Sequence, residues 1–276
     1  MKNILVPTDF SDNCNKAAEL GIKMAKLYDA EIHFFHLMQT PVDWVKLDKQ
    51  KEKRYPETLK QIGTAKSKLR ALEKMAEKEN LKCLTFLEYH VDRKNILRHS
   101  GHFKHDFIIT GSSGTKGIVR ELLGSDVEQL VRKSNVPVIV VKEDEVTFPF
   151  KDIVFVSDFI EDVSEAFKEV LSIAEKCRGK IHLLRINTES DNNSIALGLK
   201  PITNFLEKFP DLQDYSMNVY NEMNVETGIN TYLKNNEANL IAMCTHGSTG
   251  FLGLFSKSIA EGVTNHSSLP VMTFRI

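Results

Sequence analysis

Lys2-Asn3-Ile4-Leu5-Val6-Pro7-Thr8-Asp9-Phe10 returns 149 positions later as Lys151-Asp152-Ile153-Val154-Phe155-Val156-Ser157-Asp158-Phe159. Each run is a short apolar segment closed by a hydroxyl residue, an aspartate and a phenylalanine. Self-similarity of this kind means two copies of one structural unit. It persists through Ala25 and Ala174, and through Ile32-His33-Phe34-Phe35-His36-Leu37 against Ile181-His182-Leu183-Leu184-Arg185-Ile186. Near the copies' ends Ser113-Gly114 matches His246-Gly247, and Val136-Pro137-Val138-Ile139 matches Leu269-Pro270-Val271-Met272, now 133 positions apart. The first copy is therefore 16 residues longer, and Gln39 to Tyr55 reads as its extended loop. The expected domains are residues 1–146 and 147–276, joined by a linker at Lys142 to Pro149 that carries Glu143-Asp144-Glu145.

Short β-branched runs alternate with longer helical patterns in both copies, which is the signature of βαβ units around a parallel sheet buried on both faces. The expected strands of the first copy are Ile4 to Val6, Ile32 to Leu37, Leu84 to Tyr89, Phe107 to Thr110 and Val138 to Val141. In the second copy they fall at Ile153, Ile181, Ser216 to Tyr220, Leu240 and Val271. Helices are expected to begin near Ser11, near Gly63 with a charged run to Glu79, after Asp92, and at Ser125.

The chain has 276 residues, enough for two hydrophobic cores. Lys+Arg of 36 against Asp+Glu of 37 leaves a formal charge of -1, which provides no field to steer nucleic acid or an acidic membrane surface. Cys14, Cys83, Cys177 and Cys244 stand singly, so neither a disulfide framework nor a zinc knuckle is indicated and a reducing compartment fits. The sequence runs from Met1 directly into a strand, without a long apolar leader or a membrane span, and the expectation is a cytoplasmic protein.

The stretch richest in chemistry follows the fourth strand: Thr110-Gly111-Ser112-Ser113-Gly114-Thr115-Lys116-Gly117, then Gly124-Ser125-Asp126-Val127-Glu128. Its skeleton is G-x2-G-x9-G-S. Glycines here let the backbone turn tightly and let N–H groups approach an anion with no Cβ in the way. Ser125 and Glu128 form the S-x-x-E capping box of a helix whose N-terminus favours phosphate. Asp9 ends the first strand, where a short carboxylate can accept from ribose hydroxyls or an adenine amino group, or can serve the first helix start. In open α/β sheets ligands lie beyond the carboxyl ends of strands where strand order reverses, so Asp9 and Gly111 flank that crevice if strands one and four are neighbours.

With these motifs the whole chain resembles a tandem universal stress protein. The resemblance rests on the Ile-Leu-Val-Pro-Thr-Asp-Phe-Ser opening, the spaced glycines and the Val-Pro-Val-Ile-Val-Val close. It implies two Rossmann-like α/β domains, each an open five-stranded parallel sheet of order 3-2-1-4-5, dimerisation through the last strand, and in many members bound ATP or AMP. Carried to this sequence, Pro7, Thr8 and Asp9 line the adenosine side and Leu37 touches base or ribose. Thr110, Gly111, Ser113, Gly114, Gly124 and Ser125 hold the phosphates. Family loops often have His where this chain has Ser113. Asp126 in the first helical turn would repel phosphate unless Mg²⁺ intervened. The second copy keeps Asp158, Gly247 and Ser258 but loses two of three glycines, and Lys257 either fills that site or reaches a phosphate.

The remaining candidates have plainer readings. His99, His102 and His105 step by about 300° along a helix and spread rather than converge, so they read as surface histidines and no metal site is expected. Cys244 reads as a buried small hydrophobe. Trp44, in the extended loop, is either a partner contact or a lid. No Walker A motif and no Ser/His/Asp set is present, so the expectation is a stress or signalling protein that binds nucleotide in the first domain. Its rivals are a slow Mg-dependent ATPase or phosphotransferase and a protein-interaction module with vestigial sites. The two closing strands are expected to pair within the chain as a pseudo-dimer, with further homo-oligomerisation possible through other faces.

Overall fold

A computed structural model describes residues 1–90, 96–112, 125–142, 146–188, 195–245, 262–264 and 267–276. The chain divides into two compact units, Met1–Thr115 and Lys116–Ile276.

The first unit runs β1 (Asn3–Pro7), α1 (Asp12–Tyr28), β2 (Glu31–Gln39), a 3₁₀ turn (Trp44–Lys46), α2 (Lys49–Glu52), α3 (Pro56–Lys78), β3 (Cys83–His90), α4 (Ile96–His102) and β4 (Phe107–Gly111). The strands are parallel in the order β3-β2-β1-β4, with Val6 opposite Phe34, Phe34 opposite Thr85 and Leu5 opposite Ile108. Ile4, Leu5 and Val6 are wholly buried, as a central strand covered on both faces requires. Helix α1 starts where the Ser11 side chain accepts from the Cys14 N–H, and it ends at Asp29 in the left-handed region. It turns Ala17, Ala18, Met24 and Ala25 into the core. Helix α3 begins at Pro56, seven residues before the expected start near Gly63. Proline at its first positions presets φ and lacks an N–H that would have no partner there.

The second unit contains α5 (Ser125–Lys133), β5 (Val138–Val141), β6 (Asp152–Val156), α6 (Ser164–Cys177), β7 (Lys180–Asn187), α7 (Ile195–Leu206), β8 (Tyr215–Asn221), α8 (Val225–Asn235), β9 (Leu240–Thr245) and β10 (Val271–Arg275). Its parallel strands run β8-β7-β6-β9-β10, the 3-2-1-4-5 order within one repeat. β5, the last strand of the first repeat, joins antiparallel to β10, with Ile139 opposite Met272. Thr273 Oγ1 lies 3.4 Å from the Val138 carbonyl across that seam. The core of this unit gathers Val154, Val156, Leu184, Ile186, Ile241 and Met243 with Tyr232 of α8.

Among the described residues no helix is long and apolar enough to cross a membrane.

Candidate functional site

β1 and β4 are neighbours, so the carboxyl end of β1 and the start of the glycine loop share one edge of the first unit. The β1 end is fixed by backbone and side chain together. The Thr8 N–H donates to the Phe35 carbonyl at 2.8 Å, and the Phe10 N–H donates to Thr8 Oγ1 at 2.9 Å. Pro7 closes the strand, Thr8 is buried, and Phe10 takes a φ of 65°, which swings the chain toward α1. Asp9 is exposed at this turn, where one carboxylate oxygen accepts the Ser11 N–H at 2.8 Å. Partial burial acts to raise its carboxyl, but hydrogen bonds from the Ser11 side chain and backbone outweigh this and hold it below the usual range.

His36 of β2 lies beside this turn. Its Nδ1 is 2.7 Å from the Thr8 carbonyl, which fixes the proton on Nδ1 and leaves Nε2 as an acceptor. The ring packs on Phe10 with centroids 4.4 Å apart, and the Lys68 ammonium sits 5.1 Å from the Phe10 centroid. Burial lowers the His36 pKa despite the Thr8 carbonyl and Asp9, so the ring is neutral at neutral pH. Leu37, next along β2, is partly exposed. Leu37 is the residue expected at the base or ribose, and His36 precedes it on the same strand.

On the β4 side, Thr110 is buried. A Cβ on Gly111 would lie 2.5 Å from Asn13 C and Cys14 N, so glycine is required there by the close approach of α1. Asn13 Nδ2 donates to the Ser112 carbonyl at 2.7 Å and tethers the start of the loop, while its buried Oδ1 finds no donor among the described residues. Ser113, Gly114 and Gly124 lie outside the described residues. Ser125 opens α5 in the second unit, where the Glu128 carboxylate pairs with Arg132 at 3.2 Å.

In the second repeat, Asp158 accepts the Ile160 N–H at 3.0 Å, copying the Asp9 turn. Asp158 is buried, however, and its carbonyl accepts from Arg185 Nη1. Gly247, Lys257 and Ser258 lie outside the described residues.

Two expectations are corrected. His99 and His105 are buried rather than on the surface, because the turn after α4 folds His105 back against β2. His105 Nε2 meets His33 Nδ1 at 2.8 Å, His33 Nε2 meets Glu31 at 3.0 Å, and His105 Nδ1 meets the Ser100 carbonyl at 3.3 Å. These contacts tie the two rings into one chain between the Ser100 carbonyl and the Glu31 carboxylate. His99 bonds Glu88 at 3.0 Å, and no group among the described residues gathers three metal ligands. Trp44 is also buried, packed with Met38, Ile62, Tyr55 and Tyr89. It anchors the extended loop onto the first unit.

Cys244 is buried and desolvation pushes its thiol up to about 12, in keeping with a packing role.

Residues 1–142 and 219–275 match the universal stress protein family. Universal stress protein MJ0531 of Methanocaldococcus jannaschii is 33% identical over 143 residues, covering 51% of this chain and 82% of that protein. MJ0577 of the same organism is 28% identical over 157 residues, covering 51% of this chain and 94% of that one. Across nearly the full length, the crystal structure of a universal stress protein from Archaeoglobus fulgidus superposes with a TM-score of 0.73 at 20% identity, covering 99% of this chain and 98% of that one.

Proposed function

We propose that this chain, which belongs to the universal stress protein family, binds an adenine nucleotide, ATP or AMP, in its first repeat and acts as a cytoplasmic stress or signalling protein. The observation that carries the reading is the open carboxyl end of β1 and β2. There an exposed carboxylate, Asp9, sits beside a neutral imidazole whose Nε2 is an acceptor, at the reversal of strand order.

Asp9 accepts from the ribose hydroxyls, and His36 Nε2 or the Leu37 backbone receives the adenine amino group. Asn13 Oδ1, a buried acceptor at the root of the loop, suits a ribose hydroxyl as well. The phosphates go to the G-x2-G-x9-G-S loop through Ser113, Gly114, Gly124 and Ser125, with Mg²⁺ offsetting Asp126. Binding one arrangement of the chain better than another is how such a site signals without chemistry.

The two repeats, 1–146 and 147–276, act as an internal pseudo-dimer through their last strands; the antiparallel β5–β10 pairing supports this reading. The four unpaired cysteines support a reducing compartment.

The test is mass spectrometry of the small molecules released on denaturing the purified full chain, followed by calorimetric titration with ATP and AMP. One equivalent of adenine nucleotide per chain is expected. Absence of binding by either nucleotide, with or without Mg²⁺, would refute the reading.

A further inference from the structure

Equivalent positions of the two repeats differ in one consistent way. Asp9 is exposed, and Phe10, His36 and Leu37 are partly so. Their counterparts Asp158, Phe159, Arg185 and Ile186 are 7%, 6%, 1% and 2% exposed. The turn itself is conserved: Asp9 and Asp158 each accept the N–H two residues on, and Phe10 and Phe159 share φ values of 65° and 56°. What changes is the residue on the second strand of each repeat. Among the described residues the His36 ring bonds the Thr8 carbonyl and packs on Phe10. Arg185 is longer by two bonds and a planar fork. It extends across to the Asp158 carbonyl, and its Nε donates to Asn187 Oδ1 at 3.0 Å. Asn187 in turn donates to Asn221 of β8 at 3.0 Å. Phe159 is sealed from the other side by Phe155 and by Phe205 of α7, at 6.0 and 5.4 Å between centroids.

A guanidinium is almost never wholly buried unless its donors are taken. Here it is tied to strand ends at the place where the fold elsewhere leaves a ligand crevice. We propose that Arg185 is the built-in occupant of the second repeat's adenosine crevice and the residue that decides which repeat takes nucleoside. The degenerate phosphate loop is a separate loss. The proposal rests on the reading that the first repeat binds adenine nucleotide, and it predicts that exchanging the two strand residues exchanges the property.

The probe is an azidoadenosine photolabel, which carries no phosphate and so reads the nucleoside crevice alone, with labelled peptides mapped by mass spectrometry in the intact chain. Wild type is expected to label the first repeat between Pro7 and Leu37 and not the second. Arg185→His is expected to add label between Val156 and Asn187. His36→Arg is expected to lose the first-repeat label while circular dichroism and the melting transition show a folded chain. This second variant keeps the test open if Arg185→His fails to fold. Label in the second repeat of wild type, no new label in a folded Arg185→His, or full label in a folded His36→Arg would each overturn the proposal while leaving first-repeat binding intact. A wild type with no label anywhere would also overturn the proposal, and would strike the parent reading as well where calorimetry shows no binding of ATP or AMP.

Discussion

The two repeats start from the same turn and end in opposite solvation. At the carboxyl end of β1 and β2 the polar atoms of Asp9 and His36 face partly open space, and the apolar Met38 beyond them packs with Trp44 of the loop extension. At β6 and β7 the matching positions hold Asp158, Arg185 and Asn187, all buried and bonded to one another or to neighbouring strands. Under the proposal above, a site is lost by gaining a side chain. A long cation that donates to the Asp158 carbonyl at a strand end would turn a ligand crevice into core with no change to the sheet beneath.

The sharpest way to break the comparison is at the glycine loops. Gly124→Val should abolish nucleotide binding, with affinity falling about a hundredfold or more as a branched side chain takes the space of a phosphate. Equal affinities of wild type and variant in calorimetry would remove the loop from the site.

Next in size is the stability difference between the two strand residues. Arg185→Leu strands the Asp158 carbonyl and the Asn187 amide in the interior and should cost about 2–4 kcal/mol. His36→Leu, which loses one half-exposed hydrogen bond, should cost about 1 kcal/mol. Denaturant melts that gave equal costs would mean the second crevice is no more closed than the first.

A smaller effect is expected from pH through the first repeat. Burial lowers His105 to about 4, with the charge of His33 adding to the shift, and burial also lowers His99 and His36; all lie in the first repeat. Between about 4 for His105 and the ordinary 6.5 the unfolded chain binds a proton that the folded chain refuses. Stability is thus complete above about pH 6.5 and drains as the pH falls toward 4. His105→Gln should narrow the gap between melting temperatures at pH 7 and pH 5, and an unchanged gap would exclude this ring as its source. The smallest effect is expected from Gly247→Val, whose nucleotide stoichiometry should match wild type; two equivalents bound by the wild type would show an open second site.

Much of the architecture could be read from the repeat, because parallel strands buried on both faces announce themselves as apolar runs and the 149-residue offset aligns them. The Asp9 turn was readable for the same reason. The start of α3 is set by Pro56, a stronger signal than the charged run from Gly63 to Glu79. The roles of Trp44, His99 and His105 depend on partners far along the chain: Trp44 meets Ile62 and Tyr89, and His105 meets His33 from 72 residues away. No local pattern encodes those meetings. Arg185 stood in plain view opposite His36. A lone charge in a strand reads as solvent-facing, and only the Asp158 carbonyl, 27 residues away, makes it core.

The antiparallel seam between β5 and β10 has a consequence for biosynthesis. Val138 and Thr273 meet across 135 residues of chain, so β5 leaves the ribosome with its partner still untranslated. At ordinary elongation rates that wait is on the order of ten seconds, far longer than a βαβ unit needs to collapse. During this interval Val138, Ile139, Val140 and Val141 form an apolar ribbon with open hydrogen-bonding groups, and neighbouring nascent chains on the same messenger carry the identical ribbon. The seam thus predicts that yield depends on translation speed between Val141 and Val271. Slow codons or heat in that window would favour strand exchange between polysome neighbours over closure within one chain.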